Sequence, residues 1–175
     1  MIRNARPEDI PEVAAIYDHI LTEQEQGRAA IGWIRGVYPT EKTAREALDA
    51  GDLFVLVEEG TVLAAARINQ IQVPEYALAD WEYPAPETEV MVLHTLVVDP
   101  SVFGRGIGRR FVAFYEDYAR DHGCRYLRMD TNKINRTARS LYAKLGYREV
   151  GIVPCVFNGI PDVHLVCLEK YLGET

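Results

Sequence analysis

Apolar residues recur along the chain at two periods, one typical of helices and one typical of strands. Where they recur every three or four residues, they occupy one face of a helix. This pattern predicts four helices, with apolar positions at Ile10, Val13, Ile16, Tyr17 and Ile20; Ala44, Ala47 and Leu48; Ile107, Phe111, Phe114, Tyr115 and Tyr118; and Ala138, Leu141, Tyr142 and Leu145. A glycine follows each of the last three, as is common at helix ends.

Short runs of branched apolar residues predict the strands. These runs cover residues 2–5, 53–57, 62–68, 90–98, 126–129, 150–157 and 163–168. Run 90–98 is apolar almost throughout, which predicts burial on both faces of a sheet. The order β-α-α-β-β-β-α-β-α-β-β predicts an α/β (α+β mixed) fold, with a mixed sheet and helices on both sides.

Two long connections carry most of the remaining aromatic residues. Residues 27–39 hold Trp33 and Tyr38, and residues 70–89 hold Tyr76, Trp81 and Tyr83 among three prolines. A connection as long as 70–89 is more typical of a lid or binding loop than of filler. Its aromatic and acidic residues suit a cationic amine. The alternative is that the two connections only pack on each other.

Length and charge narrow the classes of protein. The 175 residues suit a single domain spanning 1–175, and the net charge of −7 argues against nucleic acid or an anionic membrane as partner. No apolar run approaches the ~20 residues that span a bilayer, and charged residues interrupt the start of the chain. Three cysteines and four histidines lack metal-ligand spacing. We therefore expect a cytoplasmic protein with free thiols and no metal.

The stretch 104–110, Gly-Arg-Gly-Ile-Gly-Arg-Arg, directly follows the predicted strand 90–98 and opens a helix. Glycines at such a turn let a ligand approach the main chain, and the helix start adds free N–H donors. The turn therefore predicts a phosphate-bearing ligand. It lacks the Lys-Ser/Thr pair of a Walker loop and the spacing of a dinucleotide fingerprint. The alternative is a tight connection without a ligand.

Several segments together resemble the GNAT superfamily of acyl-CoA N-acyltransferases. They include Ile2-Arg3-x-Ala5, Leu96-Val97-Val98-Asp99-Pro100, the glycines at 104–108, Asn135-x-x-Ala138-x-x-Leu141-Tyr142-x-Lys144-Leu145-Gly146-Tyr147, and Leu168-Glu169-Lys170-x-Leu172. The resemblance covers essentially the whole chain. It implies the acyl-CoA N-acyltransferase fold, whose mixed, mostly antiparallel sheet is splayed in the middle between runs 90–98 and 126–129.

The resemblance also implies where acetyl-CoA binds as co-substrate. The pantetheine arm would lie in the splay and the pyrophosphate on the glycine turn. Where the family usually has Gln or Arg before the turn, this chain has Phe103, so one phosphate contact is missing. The implied cofactor-binding residues are Leu96, Val97, Val98, Phe103, Gly104, Arg105, Gly106, Ile107, Gly108, Arg109, Asn135, Ala138 and Tyr142. For Asn135, the alternative is an ordinary helix N-cap.

Three residues are candidates for the chemistry. By family position, Tyr142 would donate a proton or hydrogen bond to the departing thiolate, the alternative being a core tyrosine. His94 and Glu89 are candidate bases that would take the proton of an alkylammonium. A lone histidine in an apolar strand is otherwise a core residue. A backbone N–H near Leu96 or Val97 would meet the oxyanion if the strand bulges there.

The implied activity is transfer of an acetyl group to a primary amine of a small or medium acceptor, by direct attack in a ternary complex. Trp33, Tyr38, Tyr76, Trp81 and Tyr83 would line the acceptor site, and small amines would outcompete anionic acceptors. Two alternatives remain: a protein N-terminal or lysine acetyltransferase, and a non-catalytic acyl-CoA-binding module. Relatives often dimerise, so a homodimer stays open. The residues leave open the acceptor and the acyl-chain preference.

Overall fold

The computed structural model describes residues 1–174. Its four helices are α1 (Ile10–Glu25), α2 (Glu41–Asp49), α3 (Ile107–Asp121) and α4 (Arg136–Lys144). Its seven strands are β1 (Ile2–Asn4), β2 (Leu53–Glu58), β3 (Thr61–Asn69), β4 (Val90–Val98), β5 (Tyr126–Asn132), β6 (Arg148–Phe157) and β7 (Ile160–Tyr171). The predicted order of helices and strands is confirmed. No helix within this part of the chain has the length and apolar character needed to cross a membrane.

The strands form one sheet in the order β1-β2-β3-β4-β5-β7-β6. Every neighbouring pair is antiparallel except β4 and β5, which are parallel. Asn158 and Gly159 join β6 to β7 with φ of 53° and 79°. Two positive φ values are what such a tight hairpin turn requires.

Apolar side chains cover both faces of the sheet, as the fold class predicts. On one face α3 and α4 bury a core that includes Phe111, Tyr115, Leu127 and Met129. On the other face α1 and α2 pack against β2 and β3. Residues 70–89 continue this second layer over β4, β5 and β7.

The predicted burial of β4 holds for only half of the strand. Val90 to Leu93 are buried, whereas His94, Thr95, Leu96 and Val98 are half-buried. The difference arises because β4 loses its neighbour β5 after Leu93. The resulting gap in the middle of the sheet positions the site described below.

Candidate functional site

The sheet opens where its two parallel strands part. β4 and β5 pair only from Val90 to Leu93 with Tyr126 to Met129. Beyond that point β5 continues through Asn132, paired only with β7. The gap, here called the seam, holds a hollow of about 330 Å³ between the end of β4 and residues 130–132 of β5. The predicted splay between these strands is therefore confirmed.

A bulge shapes the β4 side of the seam. The register with β3 shifts between Ala65 and Arg67, so that Thr95 and Leu96 lie opposite Ala66 alone. Thr95 has φ of 53°, which is unusual for a β-branched residue. The structure thus has a bulge next to the position where the sequence analysis required one for an oxyanion donor.

The glycine turn leads from β4 into α3. Gly104 and Gly106 have φ of 83° and 73°, and a side chain at either position would meet no other atom within 4 Å. The N–H groups of Ile107, Gly108 and Arg109 find no carbonyl acceptor within residues 1–174. These donors and the positive end of the α3 dipole fit a phosphate group.

Gly108 has a different reason to be glycine. A Cβ atom there would lie 3.3 Å from a methyl group of Leu141 and 3.8 Å from one of Val98. The absence of a side chain lets the first turn of α3 approach both α4 and β4 closely. The edge of the seam is therefore tightly packed at this glycine.

Two of the three arginines of the turn are engaged. Arg105 donates to Glu58 at 2.8 Å, and Arg110 donates to the other oxygen of the same carboxylate. This contact with Arg110 holds the pKa of Glu58 below its ordinary value. Arg109 makes no ion pair within the described chain. Glu58 therefore holds two of the three arginines of the turn in place.

Eight of the predicted cofactor-binding residues line the seam hollow. They are Leu96, Val97, Val98, Phe103, Gly108, Asn135, Ala138 and Tyr142. The others, Gly104, Arg105, Gly106, Ile107 and Arg109, belong to the turn itself or the first turn of α3. Asn135 accepts a hydrogen bond from the N–H of Ala138 at 3.1 Å, so it is an N-cap of α4. Its amide nitrogen makes no hydrogen bond within residues 1–174.

Tyr142 lies on α4 with its ring buried against Tyr147, at 6.1 Å between centroids. Its side chain lines the hollow, and its hydroxyl makes no hydrogen bond within residues 1–174. Burial raises the pKa of Tyr142 above its ordinary value. The phenol therefore stays protonated and can donate a hydrogen bond into the seam.

The two candidate bases lie in different places. The Nε2 atom of His94 contacts Oδ1 of Asn69 at 2.8 Å, and because that oxygen only accepts, His94 carries its proton on Nε2. Burial lowers the pKa of His94 to about 4, so it is a weak base at neutral pH. Glu89 ends a short 3-10 helix before β4, roughly 20 Å along the chain from the bulge at Thr95. Glu89 therefore lies too far from the seam to contact it directly.

The five aromatic candidates separate into two groups. Trp33 and Tyr38 line the seam hollow, and the hydroxyl of Tyr38 hydrogen-bonds that of Thr95. Tyr76, Trp81 and Tyr83 do not line this hollow. Trp81 instead donates to the carbonyl of Tyr76 at 2.6 Å. These three residues belong to the long connection and pack it against the sheet.

Arg128 holds the connection 70–89 in place. Its guanidinium lies 4.2 Å from the centre of the Trp81 ring. It donates to Gln72 at 2.7 Å and to the carbonyl of Tyr83 at 2.8 Å. The connection is thus a packed layer on the sheet, where the sequence analysis favoured a lid or binding loop.

Asp130 is a residue of the seam that the sequence analysis missed. It begins the unpaired side of β5, accepts a hydrogen bond from the hydroxyl of Tyr76 at 2.7 Å, and lines the seam hollow. Burial raises its pKa to about 6. In residues 126–130 polar residues alternate with Leu127 and Met129, and that period of two was the available signal.

A second hollow, of about 440 Å³, lies on the α2 side of the seam. It shares five lining residues with the first hollow: Tyr38, Thr95, Asp130, Phe157 and Asn158. Arg67 and His94 line the second hollow but not the first. The two hollows therefore meet at the bulge of β4.

Comparison with known proteins identifies relatives of this chain. A model of the acetyltransferase (GNAT) family matches residues 13–147. The chain is 43% identical over 60 residues to N-alpha-acetyltransferase RimI of Mycobacterium tuberculosis, covering 34% of this chain and 36% of that protein. It is 38% identical over 60 residues to the uncharacterized N-acetyltransferase YhfO of Bacillus subtilis, covering 34% and 40%. These matches thus span well under half of the relatives' length.

Solved structures share the fold across nearly the whole chain. A GNAT family acetyltransferase from Streptococcus agalactiae superposes with a TM-score of 0.82 and 21% identity, covering 99% of this chain and 96% of that one. The yncA protein of Salmonella typhimurium, solved with its cofactor acetyl-CoA, gives a TM-score of 0.70 and 22% identity, covering 100% and 95%. At these identities the likeness concerns the fold alone.

Proposed function

Because this chain belongs to the acetyltransferase (GNAT) family, we propose that it is an N-acetyltransferase that acetylates a primary amine of a small or medium acceptor. The acetyl donor is acetyl-CoA, and the amine attacks it directly in a ternary complex. The observation that carries this proposal is the pair of hollows that meet at the β4 bulge. One hollow suits the donor and the other suits the acceptor.

The residues of the seam fit the donor. Free N–H groups at the start of α3 suit the pyrophosphate, and the unpaired backbone of β4 suits the amide groups of the pantetheine arm. Leu96, Ala138 and Leu141 give the hollow an apolar wall. Acetyl-CoA supplies an acetyl group activated as a thioester when it is bound.

Three groups of the chain would serve the transfer. Asp130 takes the proton of the acceptor's ammonium, because its carboxylate lies at the junction of the hollows. The amine nitrogen then bonds to the carbonyl carbon, the carbon–sulfur bond breaks, and the second proton released by the nitrogen passes to the thiolate to give free CoA thiol. The backbone at the bulge donates to the carbonyl oxygen, and Tyr142 donates to the departing sulfur. Asp130 thus replaces His94 and Glu89 as the proposed base.

The second candidate is a protein N-terminal acetyltransferase. The observation that favours it is the similarity to RimI, an N-alpha-acetyltransferase, over 60 residues. Such an enzyme needs room for a chain that continues beyond the reacting amine. A lysine acetyltransferase, a non-catalytic acyl-CoA-binding module and a homodimer stay open as alternatives from the sequence.

Release of free CoA tests the proposal. The protein is incubated with acetyl-CoA and either a panel of small primary amines or peptides with free N-termini, and the thiol is measured with a chromogenic disulfide. We expect thiol release with small amines, an acetylated product by mass spectrometry, and intersecting double-reciprocal lines. Release with peptides alone would favour the second candidate. Binding of acetyl-CoA without any release would favour the non-catalytic module.

A further inference from the structure

Three ionisable residues of neighbouring strands lie at one level of the sheet. Arg67 of β3 is the register partner of His94 in β4. Asp130 follows Met129, the partner of Leu93, so it stands at the level of His94 across the seam. Since side chains alternate between faces, all three belong to the face covered by α1, α2 and residues 70–89. All three line the second hollow.

The guanidinium of Arg67 is anchored at one point and free at the others. Its Nε donates to Asp52 at 2.6 Å, and Asp52 in turn accepts from Asn69 at 2.8 Å. Its two Nη atoms have no hydrogen-bond partner within residues 1–174, and a third of the side chain is exposed. An arginine held this way presents a fixed fork of donors that matches a carboxylate.

Asp130 faces the same hollow from the other side of His94. Neighbouring strands are about 4.8 Å apart, so the Cα atoms of Arg67 and Asp130 are about 10 Å apart or more. Burial raises the pKa of Tyr38, and the charges of Asp130 and Arg67 act on that pKa in opposite directions, so Tyr38 lies in the field of both. Lys42 and Glu46 at the rim pair with each other at 3.7 Å. The hollow thus has a cationic side and an anionic side.

We propose that this second hollow binds amine acceptors that also carry a carboxylate, such as amino acids. The carboxylate binds the Nη atoms of Arg67, and the amino group lies beside Asp130 at the junction with the seam. This inference rests on the proposed function and specifies its acceptor class. An additional acidic side chain on the acceptor would be repelled by Asp130.

The test compares neutral amino acids with the amines that lack only the carboxylate, for example alanine with ethylamine and phenylalanine with phenethylamine. We expect kcat/KM to be at least tenfold higher for the amino acid of each pair. In Arg67→Met this ratio falls towards one, while the KM for acetyl-CoA is unchanged. Arg67→Lys keeps a charge beside Asp52 but lacks the fork, so it should lose most of the ratio without loss of folding.

Arg45→Met is the matched control, because Arg45 is an exposed residue of α2 that pairs with Glu41 outside both hollows. It should keep the full ratio. If amino acids and their amines react equally well, or if both Arg67 variants keep the ratio, the acceptor class is overturned and the proposed function stands.

A measurement of binding without turnover tests the acceptor pocket independently of the proposed acetyl transfer. Saturation-transfer NMR of phenylalanine with the CoA-bound protein should give a signal that Arg67→Met loses and Arg45→Met keeps. If no amine releases CoA, the proposed transfer fails, and an Arg67-dependent signal would still support the acceptor pocket. Absence of that signal in the unsubstituted protein would overturn the pocket as well.

Discussion

Burial raises the pKa of two ionisable side chains at the seam, and the two shifts suit these side chains to different parts of the reaction. Burial raises the pKa of Tyr142, so its phenol keeps its proton. Burial also raises the pKa of Asp130 to about 6, so its carboxylate is ionised at pH 7 but is a better base than an ordinary aspartate. A hydrogen-bond donor and a proton acceptor therefore line the same hollow.

Tyr142→Phe should lower kcat by ~10²–10⁴-fold, since it removes the hydrogen bond to the departing sulfur. Acetyl-CoA binding by calorimetry should be nearly unchanged, because the ring still fills its place. Tyr118→Phe, on α3 and outside both hollows, is the control and should retain its turnover. Full activity of Tyr142→Phe would remove this residue from the chemistry.

Asp130→Asn should lower kcat/KM at pH 7 by ~10²-fold or more, because an amide cannot accept the proton. In the unsubstituted protein the rate should fall below pH about 6, as the carboxylate becomes protonated. The variant should lack this acid limb. A pH profile with the same limb in both proteins would exclude Asp130 as the base.

The stability of Asp130→Asn follows from the sign of the same shift. Because the folded-state pKa lies above the ordinary 3.8, the folded protein binds more protons than the unfolded chain between pH about 4 and 6. Ionised Asp130 therefore destabilises the fold as pH rises through this window. The melting temperature of the unsubstituted protein should therefore carry a decline between pH about 4 and 6 that is missing in Asp130→Asn. Calorimetry at several pH values in this range can measure the difference.

The roles of individual residues were the feature that the sequence predicted least well. Tyr142 and Asn135 could be placed because a motif fixes their spacing on one helix. Asp130 and Arg67 could not, since each looks like an ordinary strand residue until three strands are brought into register. The expected preference for amines over anions rested on aromatic and acidic residues in two connections, and it took no account of Arg67.

At the scale of elements, the order of helices and strands was predictable because each has its own apolar period and glycine or polar boundaries. The strand ends were not. β5 was predicted to end at Met129, but it runs to Asn132 because β7 pairs with its polar residues. Tertiary pairing, which no local pattern records, extended the strand into the wall of the seam.

The two ends of α3 permit a matched test of the glycine turn. Gly106 precedes the helix and Gly123 follows it, with φ of 73° and 71°, and an added Cβ meets nothing within 4 Å at either position. Alanine at each should cost ~1–2 kcal/mol of stability through the backbone alone. Only Gly106→Ala should weaken acetyl-CoA binding, by about tenfold in calorimetry. Equal affinities for the two variants would mean that the turn does not hold the phosphates.

At the scale of the whole molecule, paired carboxylates set the response to acid. Asp9 accepts from both nitrogens of the Arg3 fork at 2.7 and 3.0 Å, which holds its pKa below the ordinary value. A lowered folded-state pKa stabilises the fold above pH about 4, and this stability is lost as pH falls through the folded value.

Asp9→Asn should therefore lower the free energy of unfolding by ~1–3 kcal/mol at pH 7 and by much less near pH 2, as measured by urea titration. Asp117→Asn is the control, because its carboxylate is 75% exposed and pairs with Arg120 on the helix surface. It should change stability by less than ~0.5 kcal/mol. A loss for Asp9→Asn that is the same at both pH values would point to packing instead of charge.

The strand order has a consequence for synthesis. β7 lies between β5 and β6, so the strand made last of the three is the one that joins the other two. A nascent chain that has reached only Phe157 leaves β5 without its second neighbour and the far wall of the hollow unbuilt. A released fragment that ends at Phe157 should be cleaved by protease within residues 126–157, whereas the full chain should resist. The protein would thus become competent for its ligands only after β7 has been made and has left the ribosome.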